Sequence, residues 1–198
     1  MKKLSLGVLV SGNGTNLQAI IDACEQNQMD ATVAVVISNN PEARALQRAK
    51  KRNIPHAAVA NGPDGERNVL ALLKKHRVEL VCLAGFMKIL SPAFLKEFPN
   101  RVINIHPALL PAFPGLNAVA QALRHGVKIS GATVHFVDVG CDTGPIILQS
   151  AVPVYDDDTE ASLHERILKE EHKIYPQAIR LIATESLKIE GRRVIRED

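Results

Sequence analysis

The feature that most constrains the fold is an alternation of short apolar runs with longer amphipathic segments through the first half of the chain. Short runs that are apolar throughout are typical of strands buried on both faces of a parallel sheet. The predicted strands are Leu4–Val10, Thr32–Ile37, His56–Ala60, Glu79–Leu83 and Val102–Ile105.

The segments between these strands carry apolar residues at helical spacing. Two clear examples are Leu17, Ile20, Ile21 and Cys24, and then Val69, Leu72, Leu73 and His76. Repetition of strand, helix and strand predicts a Rossmann-like, doubly wound α/β fold with a mainly parallel sheet. Such folds bind ligands at the carboxyl ends of the strands.

The pattern changes after Gly131, where a short segment joins the β runs Ala132–Val139 and Pro145–Val154. Closely spaced runs predict an antiparallel C-terminal extension of the sheet. A long helix then begins near Thr159, whose hydroxyl suits an N-cap. Pro176 should kink or interrupt that helix, because proline lacks the N–H that the helix needs.

The tail, residues 186–198, alternates around Gly191, which predicts a terminal hairpin. A chain of 198 residues, of which 46% are hydrophobic, is long enough for one substantial core. Neither an internal repeat nor a linker divides it. We therefore expect a single domain over residues 1–198.

Charge and hydropathy exclude several classes of partner. Lys and Arg total 24 against 21 acidic residues, and the net charge of +3 is too weak and too dispersed for a nucleic-acid binder. No window approaches the run of about 18 apolar residues that a transmembrane helix needs. We therefore expect a cytoplasmic protein with neither nucleic acid nor membrane as a partner.

Cysteine and histidine spacing predicts no metal site. Cys24, Cys82 and Cys141 are odd in number and widely spaced, which fits neither a disulfide framework nor a zinc cluster. The histidines lack ligand-like spacing with carboxylates or thiols. No base stands beside Cys141 in the sequence to make it a nucleophile.

A glycine turn, Ser11-Gly12-Asn13-Gly14-Thr15-Asn16, separates the first strand from the first helix. Glycines let the backbone turn tightly, and the free N–H groups at a helix start favour an anion. The turn lacks the third glycine of the dinucleotide fingerprint and the Gly-Lys-Ser/Thr of a P-loop. It predicts a monophosphate site; the alternative is a plain tight turn with Thr15 or Asn16 as the helix cap.

Two loop-like segments offer three groups that can together run acyl transfer. Asn104 and His106 lie in Asn-Ile-His-Pro, before a loop stiffened by three prolines, and Asp142 lies in Gly-Cys-Asp-Thr-Gly. A carboxamide can donate to a developing oxyanion, and a histidine can give and take protons near neutral pH. A carboxylate beside that histidine should fix its tautomer and raise its pKa.

Four motifs in order carry a family resemblance: the glycine turn, the run from Leu83 to Pro92, Asn-Ile-His-Pro, and Asp-Thr-Gly-Pro from Asp142. From about Leu6 to Pro176, the chain resembles the phosphoribosylglycinamide formyltransferases, the folate-dependent glycinamide ribonucleotide transformylases of purine synthesis. One such motif alone is weak evidence for the family, but four in order at compatible spacing are specific to it.

The resemblance implies transfer of a formyl group from 10-formyltetrahydrofolate to the amine of 5-phosphoribosylglycinamide in de novo purine biosynthesis. It implies that Asn104 donates to the oxyanion and that protonated His106 assists and relays protons. Asp142 would keep His106 charged and help a water carry the amine proton to the leaving folate nitrogen.

The resemblance also implies two sets of binding residues. Those for the ribonucleotide are Gly14, Thr15, Asn16, Leu168, Lys169, Glu170 and Glu171. Those for the folate are Arg67, Met87, Lys88, Ile89, Leu90, Asn104, Asp138, Val139, Gly140 and Cys141. The chain departs from the family in a shortened segment before Arg67 and in Asn117, where some relatives have a histidine.

Other functions share parts of this pattern. A formyltetrahydrofolate hydrolase uses the same three groups with water as the acceptor, in a chain with an additional N-terminal regulatory domain. A methionyl-tRNA formyltransferase carries a basic C-terminal domain, whereas here only a short tail follows the long helix. A non-catalytic nucleotide- or folate-binding module is the third alternative. We expect small-molecule substrates, no metal, and a monomer or homodimer.

Overall fold

The computed structural model describes residues 2–62, 64–184 and 187–196. The chain divides into two compact units, Met1–Ile103 and Asn104–Asp198. The boundary falls within the strand Val102–His106. The expectation of a single domain over the whole chain stays a prediction.

The first unit alternates strands and helices, as the apolar runs predict. Its elements are β1 (Leu4–Val10), α1 (Thr15–Glu25), β2 (Ala31–Ser38), α2 (Arg44–Lys51), β3 (His56–Ala58), α3 (Gly65–Lys75), β4 (Leu80–Leu83), α4 (Pro92–Glu97) and the start of β5 (Val102–His106). Strands β3, β2, β1 and β4 are neighbours in that order, and all three pairings are parallel.

The central strands of this unit are enclosed on both faces. Leu6, Val8 and Leu9 of β1 are fully buried, and every residue of β4 is buried. Burying one such side chain stabilises the fold by roughly 1.5–3 kcal/mol. Burial on both faces explains why these strands appear in the sequence as continuous apolar runs.

The second unit contains the antiparallel part of the sheet. After β5 its elements are α5 (Ala118–His125), β6 (Ile129–Phe136), β7 (Ile146–Pro153), α6 (Glu160–Ala183), β8 (Leu187–Glu190) and β9 (Arg193–Arg196). β6 pairs antiparallel with β7, and β8 pairs antiparallel with β9. The predicted α/β class, with a mainly parallel sheet and antiparallel C-terminal strands, is confirmed. Residues 186, 197 and 198 of the predicted tail lie outside the described residues.

Helix α6 is continuous through Pro176, so the predicted interruption is wrong, and the alternative of a kink stays a prediction. Its apolar residues on both sides of the proline, among them Tyr175 and Ile179, are fully buried. Their packing outweighs the hydrogen bond that proline cannot donate. Neither α6 nor any other helix in the described part of the chain is long and apolar enough to cross a membrane.

Thr159 caps α6, as predicted. Its hydroxyl accepts from the Ser162 N–H at 3.2 Å, and the Ser162 hydroxyl accepts from the Thr159 N–H at 3.0 Å, which completes a capping box. We expect Thr159→Ala to lower the free energy of unfolding by about 1 kcal/mol, because the Ser162 N–H loses its acceptor. Urea denaturation measures this. The exposed His164 of the same helix supplies the control, since His164→Ala should change stability by less than about 0.5 kcal/mol.

Candidate active site

His106, the last residue of β5, is buried beside Asp142, which lies between β6 and β7. The Nδ1 atom of His106 is 3.3 Å from Oδ2 of Asp142. The Nε2 atom is 2.8 Å from the carbonyl oxygen of Phe113. Both ring nitrogens therefore face oxygen acceptors, and only the imidazolium can donate to both at once.

The Asp142 charge raises the pKa of His106, as predicted, but the net pKa is lower than its ordinary value, which the sequence does not predict. Burial disfavours the charged ring and outweighs the opposing effects of the Asp142 charge and the Phe113 carbonyl. For Asp142, burial raises the pKa, but hydrogen bonds from His135 and Gly115, with the charges of both histidines, lower it to about 2. Asp142 is thus charged at neutral pH, whereas His106 gives up its proton more readily than an exposed histidine.

The loop after β5 holds both members of this pair through main-chain atoms. The Gly115 N–H donates at 2.8 Å to the same Asp142 oxygen that faces His106. Phe113, whose carbonyl meets the ring, has φ +55°, a left-handed conformation that bulky residues rarely adopt. Residue types alone could not predict either contact, because neither uses a side chain of the loop.

Two side chains from the β6–β7 hairpin fix the start of this loop. Thr133 Oγ1 donates to the Ala108 carbonyl at 2.6 Å and accepts from the Leu110 N–H at 3.0 Å. Gln149 Nε2 donates to the Leu110 carbonyl at 2.8 Å. The Leu110–Pro111 peptide is cis, a point that the sequence leaves open. The loop is therefore tied to the strands that support it, which is what precise placement of reactive groups requires.

His135 on β6 is a fourth member of the cluster. In the sequence it could equally be a satisfied strand histidine or a substrate neighbour. Its Nδ1 atom is 2.8 Å from the Phe136 carbonyl, so Nδ1 donates. Nε2 accepts in the neutral ring and donates in the charged ring. That Nε2 atom is 3.3 Å from Asn104 Nδ2 and 3.6 Å from Asp142 Oδ1. The sequence indicates this position of His135 only through its two-residue spacing from Thr133, which puts the two side chains on one face of the strand.

Asn104 completes the cluster. Its Nδ2 atom is 3.5 Å from Asp142 Oδ1, in addition to its contact with His135. Both contacts are longer than ordinary N–H···O bonds. The three residues predicted as catalytic are therefore brought together, and the carboxamide is the most loosely held of their polar groups.

The predicted folate segment Asp138–Cys141 lies in the loop between β6 and β7. The Asp138 carboxylate accepts from the Thr143 hydroxyl at 2.6 Å and from the Gly140 N–H at 3.1 Å, so it organises the loop itself. The Val139 side chain is exposed, at 73%. Gly140 and Cys141 are exposed as well, so these three residues are accessible to a ligand.

Cys141 is a poor nucleophile here. Partial burial and the neighbouring Asp142 charge raise the pKa of its thiol, which disfavours the reactive thiolate. Among the residues that the structure describes, no cluster of three or more His, Cys, Asp or Glu could hold a metal ion.

The predicted substrate residues of α6 differ in exposure. Glu171 is buried, Leu168 and Glu170 are half-buried, and Lys169 is exposed. Glu170 accepts from the Ser150 hydroxyl at 2.7 Å, and Lys169 pairs with Glu165 at 2.9 Å. Lys169, which is engaged at the surface, is the weakest candidate of the four.

In the first unit, α2 holds the glycine turn. The Ala45 N–H donates to the Gly12 carbonyl at 3.2 Å, and Arg48 Nε donates to the Asn13 carbonyl at 2.8 Å. In a trans peptide the N–H points opposite to the carbonyl, so the N–H groups that follow these two carbonyls point away from α2. The turn therefore presents main-chain donors on its open side.

Gly14 has φ +70°, and a Cβ at this position would lie 2.6 Å from the Ala45 Cβ. Gly14 is itself the N-cap of α1, with no side-chain hydrogen bond at the cap. Neither Thr15 nor Asn16 therefore caps the helix, and the positive end of its dipole favours an anion at this turn.

The predicted pterin segment lies between β4 and α4. Met87 and Ile89 are 67% and 80% exposed, Lys88 is exposed, and Leu90 is buried. The Met87 N–H donates to the Ser11 hydroxyl at 2.9 Å, which ties this segment to the first residue of the glycine turn. Exposed apolar side chains on an anchored backbone suit a flat heterocycle.

Arg67 lies on α3 with its side chain 82% exposed, 3.4 Å from Asp64. An exposed ion pair of this kind contributes little to stability. Arg67 can therefore exchange Asp64 for another carboxylate at little cost, and no contact fixes it for that task.

Comparisons with known proteins agree on one family. The sequence pattern described as formyl transferase matches residues 4–179. The phosphoribosylglycinamide formyltransferase of Bacillus subtilis (strain 168) is 43% identical, over 91% of this chain and 94% of that protein. The crystal structure of glycinamide ribonucleotide transformylase 1 from Symbiobacterium toebii matches with a TM-score of 0.97 and 50% identity, over 100% of this chain and 95% of that one. The trifunctional purine biosynthetic protein adenosine-3 of Drosophila melanogaster is 47% identical, but the chain spans only 14% of its length.

Proposed function

We propose that this chain, which belongs to the formyl transferase family, transfers a formyl group from 10-formyltetrahydrofolate to the amine of 5-phosphoribosylglycinamide. The observation that carries the proposal is the cluster of Asn104, His106 and Asp142, in which the charged carboxylate lies 3.3 Å from the imidazole and 3.5 Å from the carboxamide. These groups supply an oxyanion donor, a proton relay and a charge that supports the imidazolium.

The first step is attack of the glycinamide amine on the formyl carbon, which turns the formyl oxygen into an oxyanion. Asn104 is the donor best able to meet it, because its two present contacts are long and are easily exchanged. Both nitrogens of protonated His106 are engaged, by Phe113 and Asp142, so the ring acts on the oxyanion through its positive charge. Contacts of this kind tighten when substrate binds.

The second step breaks the bond between the formyl carbon and the folate nitrogen. The proton released by the amine must reach that nitrogen before tetrahydrofolate leaves. Asp142, whose pKa of about 2 keeps it charged, orients a water that takes this proton from the amine and gives one to the folate nitrogen. His106, whose pKa is lowered by burial, gives up its proton more readily than an exposed histidine.

Substrate binding uses the remaining groups. We assign the phosphate to the glycine turn at Gly14, Thr15 and Asn16, because the open side of the turn presents main-chain donors. Met87 and Ile89 offer apolar contact to the pterin ring. Glu171 on α6 is assigned to the ribose or glycinamide end of the ribonucleotide.

One experiment separates this reaction from its alternatives. Purified protein supplied with 10-formyltetrahydrofolate and 5-phosphoribosylglycinamide should release tetrahydrofolate only when the amine is present. Release without the amine would indicate a hydrolase that uses water as acceptor. Binding of both compounds without release would indicate a non-catalytic module.

The glycine turn can be tested separately. We expect Gly14→Ala to raise KM for 5-phosphoribosylglycinamide about tenfold or more, which corresponds to about 1.4 kcal/mol of lost binding. The added Cβ collides with Ala45 and the left-handed backbone is strained. KM for the folate should change much less.

The matched control is Gly12→Ala, because a Cβ at Gly12 has nothing within 4 Å. Its effect on KM for the ribonucleotide should be much smaller. Equal effects of the two substitutions would argue against a phosphate contact that depends on the shape of the turn at Gly14.

A further inference from the structure

The peptide between Pro114 and Gly115 is held at both ends. Its N–H donates to Asp142 Oδ2 at 2.8 Å. Its carbonyl accepts from Gln121 Nε2 at 3.1 Å. The N–H and the carbonyl of a trans peptide point in opposite directions within one plane, so Asp142 and Gln121 lie at opposite edges of a rigid peptide.

Gln121 also holds a second carbonyl of this loop, that of Leu116. Its Nε2 atom donates to the Leu116 carbonyl at 2.9 Å, so the two amide hydrogens serve the carbonyls before and after Gly115. Gln121 lies in the first turn of α5, and its own N–H donates to the Asn117 carbonyl at 2.9 Å. The side chain thus extends from a fixed point on a helix.

The loop needs such support. Phe113, Gly115 and Asn117 have φ values of +55°, +78° and +56°, so every second residue is in the left-handed region. For the two residues with side chains this conformation is strained, and it persists only where other contacts impose it. A loop released from Gln121 would therefore relax and turn the Gly115 N–H away from Asp142.

We propose that Gln121 is a positioning residue, which orients the Pro114–Gly115 peptide so that the Gly115 N–H holds the Asp142 carboxylate against His106. The proposal rests on the proposed function only in assigning Asp142 and His106 to the reaction. A donor on the carbonyl also polarises the peptide and strengthens its N–H as a donor. Gln121 touches no reacting atom and acts through this peptide.

Gln121→Met tests the proposal, because methionine keeps the length and the helix preference but has no donor. We expect kcat for formyl transfer to fall about tenfold, since small misplacements of catalytic groups have effects of this size or larger. KM for both substrates should change little. Arg124→Ala, at an exposed position of the same helix, is the control and should leave both constants unchanged.

A second readout does not depend on activity. The titration of His106, followed by NMR through its ring protons, should move to lower pH in Gln121→Met, because a displaced Asp142 raises the pKa less. The other titratable group facing this ring is His135. If Gln121 only stiffens the loop, its loss admits water, and the pKa of His106 rises toward its ordinary value. A rise, or no change, overturns the proposal.

The two readouts also separate this inference from the proposed function. A wild-type protein without formyl transfer activity, combined with a downward shift in the variant, contradicts the reaction but supports the positioning role. Normal transfer by Gln121→Met, with an unchanged titration, contradicts the positioning role and leaves the reaction in place.

Discussion

His106→Ala is expected to lower kcat for formyl transfer about a thousandfold, in the middle of the range for loss of a general acid–base group. The substitution removes the proton relay and also the positive charge next to the oxyanion. It leaves Asp142 charged and half-enclosed without its imidazole partner, so the groups that remain are also less well placed. Steady-state rates with saturating folate and ribonucleotide measure the effect.

KM for the ribonucleotide should change far less than kcat, because the phosphate is assigned to the glycine turn. A thermal melt shows whether the variant is folded at the assay temperature. His164→Ala, at an exposed position of α6, should retain the wild-type rate. A His106→Ala protein that is folded and keeps more than about a tenth of the wild-type kcat would remove His106 from the reaction, since that loss is below the range for general acid–base catalysis.

Most of the fold could be predicted from the sequence, because strands buried on both faces appear as continuous apolar runs. β1 is the clearest case, since its observed bounds match the predicted Leu4–Val10. Pro176 is the clearest error. Proline chemistry is local and visible in the sequence, whereas the burial of Tyr175 and Ile179, which keeps α6 continuous, depends on distant residues.

The candidate site likewise contains some groups that the sequence reveals and others that only the folded loop places. Asn104, His106 and Asp142 could be named, because their side chains carry the chemistry. The Phe113 carbonyl and the Gly115 N–H could not be named, since any residue has these groups and only the loop conformation aims them. The sign of the His106 pKa shift was missed for a related reason, because the sequence shows the nearby carboxylate but not the burial.

Asp142→Asn is expected to lower kcat at neutral pH about a hundredfold, because the variant loses the charge that orients the proton-carrying water and supports the imidazolium. The introduced carboxamide has nearly the same shape, so the Gly115 N–H keeps an acceptor and the loop should stay in place. The fold should therefore survive, and the change in kcat reports on charge and proton transfer.

The pH dependence of the same variant gives the sign of the electrostatic effect. In the wild type the Asp142 charge raises the pKa of His106 against the larger effect of burial, so removing that charge lowers the pKa further. If the protonated ring is the active form, kcat falls as pH rises through this pKa, and the fall should occur at lower pH in Asp142→Asn. Rates across the pH range in which histidine titrates, with an NMR titration of the His106 ring, measure the shift. An inflection that stays in place, or moves to higher pH, would show that the observed pair does not set the protonation of the ring.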